Sequence, residues 1–124
     1  MVWPSSLPEP TNRPVAPKRA SGRVVDEVLR AKVKELATKR FGASQFPSVD
    51  YLFMKESGWN YLAVNKTSGA TGICQSLPAS KMASAGKDYL TNPLTQVEWC
   101  FDYIESRYGT PLQAVAWHRA NNWF

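Results

Sequence analysis

The chain has 124 residues, enough for one domain that buries roughly two thirds of its unfolded surface. Apolar residues make up 44% and charged residues 20%, an ordinary globular balance. No apolar run approaches the ~20 residues that a membrane-crossing helix needs, so stable membrane insertion is not expected. The net charge of +5 favours polyanionic partners (nucleic acid, anionic membrane surface or bacterial wall polymers) or serves solubility alone. Arg13, Lys18, Arg19, Arg23, Arg30, Lys32, Lys34, Lys39 and Arg40 carry much of it, with no stacking aromatics spaced between them, which disfavours nucleic acid.

Met1-Val2-Trp3-Pro4 lacks the charged segment and apolar core of a secretory signal; the expectation is another export route, or a piece of a larger protein. Residues 1–20 hold five of the nine prolines, which predicts an extended basic arm or linker ahead of a folded domain over residues 21–124. The first helix is expected from near Ser21 or Gly22 to near Gly42. Val25, Leu29, Val33 and Leu36 form its buried stripe, widened by Val24 and Val28. A second helix begins near Ser48, after Pro47, and carries Glu56. Residues 59–76 are rich in Gly, Asn, Ser and Thr and read as irregular structure or a short hairpin. A short helix around residues 78–85 and a loop from Gly86 to Asn92 follow.

Thr91 is placed to cap the next helix, and Pro93 suits its first turn. Leu94, Val97, Phe101, Ile104 and Tyr108 give it a core-facing stripe, and Gly109 ends it. A last helix runs from about Pro111 to Arg119, with Leu112, Val115 and Ala116 inward. The fold class is therefore mainly α, with an irregular or hairpin flap after the second helix. Cys74 and Cys100 form a disulfide if the chain works outside a cytoplasm; otherwise they are two buried thiols, the plainer reading. The single histidine, His118, and the absence of a Cys/His cluster argue against a zinc site.

Glu56 stands at helical spacing from Val49, Leu52 and Phe53, so it shares their face. A carboxylate on an apolar stripe is costly unless it is paired, neutralised or used. Apolar surroundings that raise a carboxyl pKa suit it to protonate a glycosidic oxygen near neutral pH. Two-carboxylate hydrolysis needs a second acid, yet residues 57–87 contain none, offering Asn60, Asn65, Gln75 and hydroxyls instead. That pattern suits a reaction in which the substrate supplies its own nucleophile.

Glu56-Ser57-Gly58-Trp59-Asn60, then Ala63-Val64-Asn65, then Ser68-Gly69-Ala70-Thr71-Gly72-Ile73-Cys74-Gln75 resemble the signature of the lysozyme-like lytic transglycosylases. Leu77-Pro78, Ser80-Lys81-Met82-Ala83-Ser84-Ala85-Gly86, Thr91-Asn92-Pro93, Tyr103-Ile104 with Arg107-Tyr108-Gly109-Thr110-Pro111, and Ala116-Trp117-His118 with Ala120-Asn121-Asn122-Trp123 resemble a Gram-positive branch of that family. The branch occurs in aggregation-promoting-factor-like surface proteins and in phage tail and lysis proteins. The likeness spans roughly residues 46–124.

The resemblance implies a lysozyme-like domain acting on peptidoglycan glycan strands at the bacterial cell wall, with no metal or organic cofactor. Glu56 would be the catalytic acid and then base, giving 1,6-anhydro-N-acetylmuramic acid (MurNAc) ends. Ser57, Trp59, Asn65, Gln75, Trp117 and His118 are the candidate substrate-binding residues. Five of the six also have a plainer reading: Ser57 and Gln75 as turn residues, Trp59, Trp117 and His118 as packing. Asn65 stands where many relatives carry Ser. The block from Glu56 to Gln75 is one residue longer than the commonest spacing, and Cys74 replaces Met or Pro. Trp117 or His118 stands where relatives place a Tyr that orients the acid. The alternatives are a hydrolytic muramidase and a wall-binding tail module without turnover.

Overall fold

In this computed structural model residues 26–121 are described; the Pro-rich arm, Val24, Val25 and residues 122–124 lie outside them. Asp26 starts the first helix, α1 (Glu27–Phe41). Its carboxylate accepts from the backbone N–H groups of Val28 at 3.0 Å and Leu29 at 3.2 Å, donors that no earlier helical carbonyl can reach. That cap places the start later than Ser21 or Gly22. Leu29, Val33 and Ala37 are buried and Leu36 packs beside them. Val28, expected to widen the stripe, points outward at 81% exposure. Gly42 stops the helix at φ 107°, a backbone region that glycine enters without strain.

A 3-10 turn, Ala43–Gln45, leads into α2 (Phe46–Ser57). Pro47 falls in the first turn, where a missing N–H leaves no helical bond unmade. The helix therefore begins just before the expected Ser48. Val49, Leu52, Phe53 and Glu56 form its inward stripe. Its end is a left-handed glycine cap, with Gly58 as the turning residue. The Trp59 N–H donates to Phe53 O at 3.2 Å and the Gly58 N–H to Met54 O at 3.0 Å. Both Gly58 and Trp59 take positive φ, 64° and 65°. The reversal brings the Trp59 ring edge-on to Phe53, 5.1 Å between centroids.

Residues 59–76 form the flap. It is irregular and paired only by two isolated antiparallel bridges, Val64 with Thr71 and Thr71 with Ser76. A 3-10 segment, Ala79–Ser84, and turns over residues 85–91 lead to α3 (Pro93–Arg107). Its cap is Asn92 and not Thr91, because the Asn92 side-chain Oδ1 is the atom that accepts from Leu94 N–H, at 2.9 Å. Val97, Phe101 and Ile104 are buried as expected, and so are Thr95, Gln96, Trp99 and Cys100. Helix α4 (Pro111–Asn121) closes the described chain. Its buried positions are Pro111, Ala114, Val115 and His118. Leu112 is 59% exposed and Ala116 also faces out, so of the three residues expected inward only Val115 is.

The chain is mainly helical, with no strand among the described residues. Helix α2 is central: α4 and α1 pack on it, and α3 packs on α1 and α4. Phe53, Leu52, Ile73, Met82, Val97 and Ile104 are fully enclosed. Each such side chain contributes about 1.5–3 kcal/mol through apolar burial. Cys74 and Cys100 are joined as a disulfide that ties the flap to α3, so they are not two free thiols. Arg40 ties α1 to α3 through Asp102 and Glu105, each at 2.6 Å. Among the described residues no helix is long and apolar enough to cross a membrane.

Candidate functional site

Glu56 and His118 meet where α2 and α4 pack. On α2 the inward stripe is Val49, Leu52, Phe53, Glu56; on α4 it is Pro111, Ala114, Val115, His118. Both follow the same i, i+3, i+4, i+7 spacing, and in both the last position is ionisable. Glu56 is 5% exposed and His118 8%. Glu56 Oε2 lies 3.5 Å from His118 Nε2. That is ion-pair distance but longer than a closed hydrogen bond.

The other acids nearby are engaged elsewhere. Asp50 accepts from Arg30 and from the Trp59 indole N–H, both at 2.9 Å. Asp88 accepts from Thr95 at 2.7 Å and Asn92 at 2.9 Å, bonds that lower its pKa. Asp102 and Glu105 hold Arg40, and Glu98 is exposed. Glu56 is thus the one buried acid among the described residues.

An aromatic run leads along α3 to the pair. Trp99 stacks on Tyr103 at 5.3 Å, Tyr103 meets Tyr108 edge-on at 6.1 Å, and Tyr108 lies 6.3 Å from Trp117. Burial raises the Tyr103 hydroxyl pKa well above its ordinary value, and Tyr108 and the Glu56 carboxylate push the same way. The Tyr108 pKa is raised chiefly by burial, with Arg107 opposing. Both hydroxyls therefore remain neutral donors within the field of Glu56. On the opposite side Tyr51 meets the His118 ring edge-on, 5.7 Å between centroids. Lys55 and Arg119 lie against the Tyr51 ring at 5.8 and 5.1 Å. A shallow groove of about 250 Å³ runs along Pro47, Asp50, Tyr51, Met54 and Lys55, one turn back on α2.

The remaining candidates divide by what they touch. Ser57 builds: its Oγ donates to Ile73 O at 2.8 Å and fastens the flap to the end of α2. Asn65 builds too, its side-chain oxygen accepting from Thr67 N at 2.8 Å and Ser68 N at 3.0 Å. Gln75 is 3% exposed and donates from Nε2 to Gly72 O at 2.9 Å and Ala63 O at 3.3 Å. Trp59 is a core residue at 4% exposure, folded inward by the left-handed turn at Gly58 and held by Asp50, not a sugar-facing ring. Trp117 is 37% exposed beside Tyr108 and keeps a face toward solvent.

Sequence reasoning passed over Gln96, gave Tyr103 no role of its own, and read Tyr108 as core. Gln96, fully buried on α3, accepts from Ile73 N at 2.8 Å and donates to Tyr61 O at 3.0 Å and Tyr89 O at 2.8 Å. One side chain thereby joins the flap, the loop before α3 and α3 itself. A Gln on the face that also carries Val97 and Cys100 was the available signal. Among the described residues no three His, Cys, Asp or Glu side chains gather as a metal site. Compared with protein-family models, with curated proteins and with solved structures, the chain finds no match.

Proposed function

We propose that the protein is a peptidoglycan lytic transglycosylase that uses Glu56 as its single acid and base. The observation that carries this reading is the partition of carboxylates. Glu56 alone is buried, at the end of α2, while Asp50, Asp88, Asp102 and Glu105 are committed to other partners. Removing a carboxyl from water favours its neutral form, the form that can give a proton. A site with one such acid suits chemistry in which the second nucleophile belongs to the substrate.

In this mechanism Glu56 gives its proton to the oxygen joining MurNAc to N-acetylglucosamine (GlcNAc), and the bond from that oxygen to the MurNAc anomeric carbon breaks. The MurNAc 6-hydroxyl attacks the anomeric carbon. The Glu56 carboxylate takes the hydroxyl proton, which regenerates the acid and leaves a 1,6-anhydro ring. Trp117, with Tyr108 behind it, offers an aromatic face for a sugar ring. Ser57, Asn65 and Gln75 shape the flap that walls the site. The disulfide agrees with work in an oxidising setting such as the outside of a bacterial wall, in a phage lysis or tail protein or a surface protein.

The test is digestion of purified sacculi followed by mass spectrometry of the released muropeptides. Anhydro-MurNAc ends are expected. Reducing MurNAc ends would make the protein a muramidase. Binding to sacculi with no release would leave a wall-binding module.

A further inference from the structure

We infer that His118 is the positioning residue for Glu56, holding its carboxylate in the orientation that gives and takes the proton. The catalytic consequence rests on the transglycosylase reading; the contact itself does not. Nε2 is 3.5 Å from Oε2, and both side chains are almost wholly enclosed. A charge-assisted bond between such groups is about 2.8 Å long, so less than about 1 Å remains to be closed. Catalytic hydrogen bonds are often long before substrate binds and tighten afterwards.

The imidazole is held on two sides. Its place on the Ala114–Val115 stripe seats it against α2. The Tyr51 ring lies at 87° to it and fixes its plane. The groups around the pair make this partner distinctive. Tyr103 and Tyr108 present neutral hydroxyls that feel the Glu56 charge. The cations of Lys55 and Arg119 lie against Tyr51. The imidazole Nε2 can donate to the Glu56 carboxylate and so hold it in place.

The chain has one histidine, so imidazole ¹H–¹⁵N signals report His118 alone. The Nε2 resonance is expected to move on Glu56→Gln and to stay in place on Glu98→Gln, a change at an exposed acid. With soluble MurNAc–GlcNAc oligosaccharides, His118→Phe should lower kcat about 10²-fold with KM nearly unchanged, the cost of a misplaced catalytic group. His118→Gln, whose amide nitrogen reaches about where Nε2 lies, should recover most of that loss. Identical imidazole spectra in wild type and Glu56→Gln would overturn the inference. So would equal kcat losses for His118→Phe and His118→Gln, which would mark simple packing. If the wild type cleaves no glycan, the transglycosylase reading fails while the spectra still decide the contact.

Discussion

Glu56 and His118 hold equivalent positions at the ends of two matching helical stripes, and the packing of α2 on α4 brings those ends to 3.5 Å. Each helix alone would bury an ionisable group without a partner. Together they pair the two groups in one enclosed place, and the acid becomes tolerable at the cost of a fixed geometry.

Glu56→Gln should therefore separate chemistry from folding. The amide matches the carboxylate in shape and can still meet His118, so stability should change by no more than about 1 kcal/mol. Release of muropeptides from sacculi should fall by about 10²-fold or more, as expected when a general acid is lost. Urea denaturation and sacculus clearing, measured on the same preparation, check both halves. Undiminished clearing would remove Glu56 from the mechanism.

How far the sequence could be read follows from where each signal lies. The α2 stripe with Glu56 at its end was legible because all four residues sit on one helix. The partner was not, because the apolar residues of α4 were phased as Leu112, Val115 and Ala116, while packing on α2 selected Pro111, Ala114, Val115 and His118. Leu112 was the misleading residue: a large apolar side chain that the fold leaves outside. Trp59 stayed open between packing and sugar contact for a similar reason. Its inward position depends on two consecutive positive-φ residues and on Asp50, one helical segment earlier. Gln96 carried only one faint mark, its place on the face of Val97 and Cys100, since its three partners come from the flap and the preceding loop.

Gln96 should prove to be the residue that holds the flap. Gln96→Leu keeps the volume but leaves Ile73 N–H and the carbonyls of Tyr61 and Tyr89 without that amide. The expected loss is about 3 kcal/mol or more, read as a lower urea midpoint. Gly72→Ala should act on the same contact from the other side. A Cβ there would lie 2.6 Å from Gln96 Oε1, and Gly72 sits at φ 90°, so a loss of about 2–3 kcal/mol is expected. Because both changes strain one contact, the double variant should lose less than the sum. Full additivity would show that the two residues act apart.

The disulfide closes 26 residues between the flap and α3. A loop of that length should confer about 3 kcal/mol by restricting the unfolded chain. Cys74→Ser with Cys100→Ser, or reduction by dithiothreitol, should lower the urea midpoint accordingly. Residues next to Cys74 support the site: Ile73 O accepts from Ser57 and Gln75 folds back onto Ala63. Glycan cleavage should therefore decline before global unfolding as reductant is raised. Activity that tracks unfolding in step would show that the flap needs no tether.

The half-buried tyrosines Tyr103 and Tyr108 set an upper pH limit. Burial holds the Tyr103 hydroxyl above its ordinary value of 10.0, and Tyr108 is raised in the same direction. A proton bound more tightly in the folded state than in the unfolded one stabilises the fold fully below the unfolded pKa of about 10. That contribution is then lost as pH climbs through the folded value. The urea midpoint should accordingly fall above pH about 10. Tyrosinate absorbance at 295 nm from these two residues should appear at higher pH than that of an exposed tyrosine. Tyr103→Phe with Tyr108→Phe should flatten the alkaline fall, because neither ring then has a proton to lose. An equally steep fall in that double variant would assign the alkaline limit to other groups.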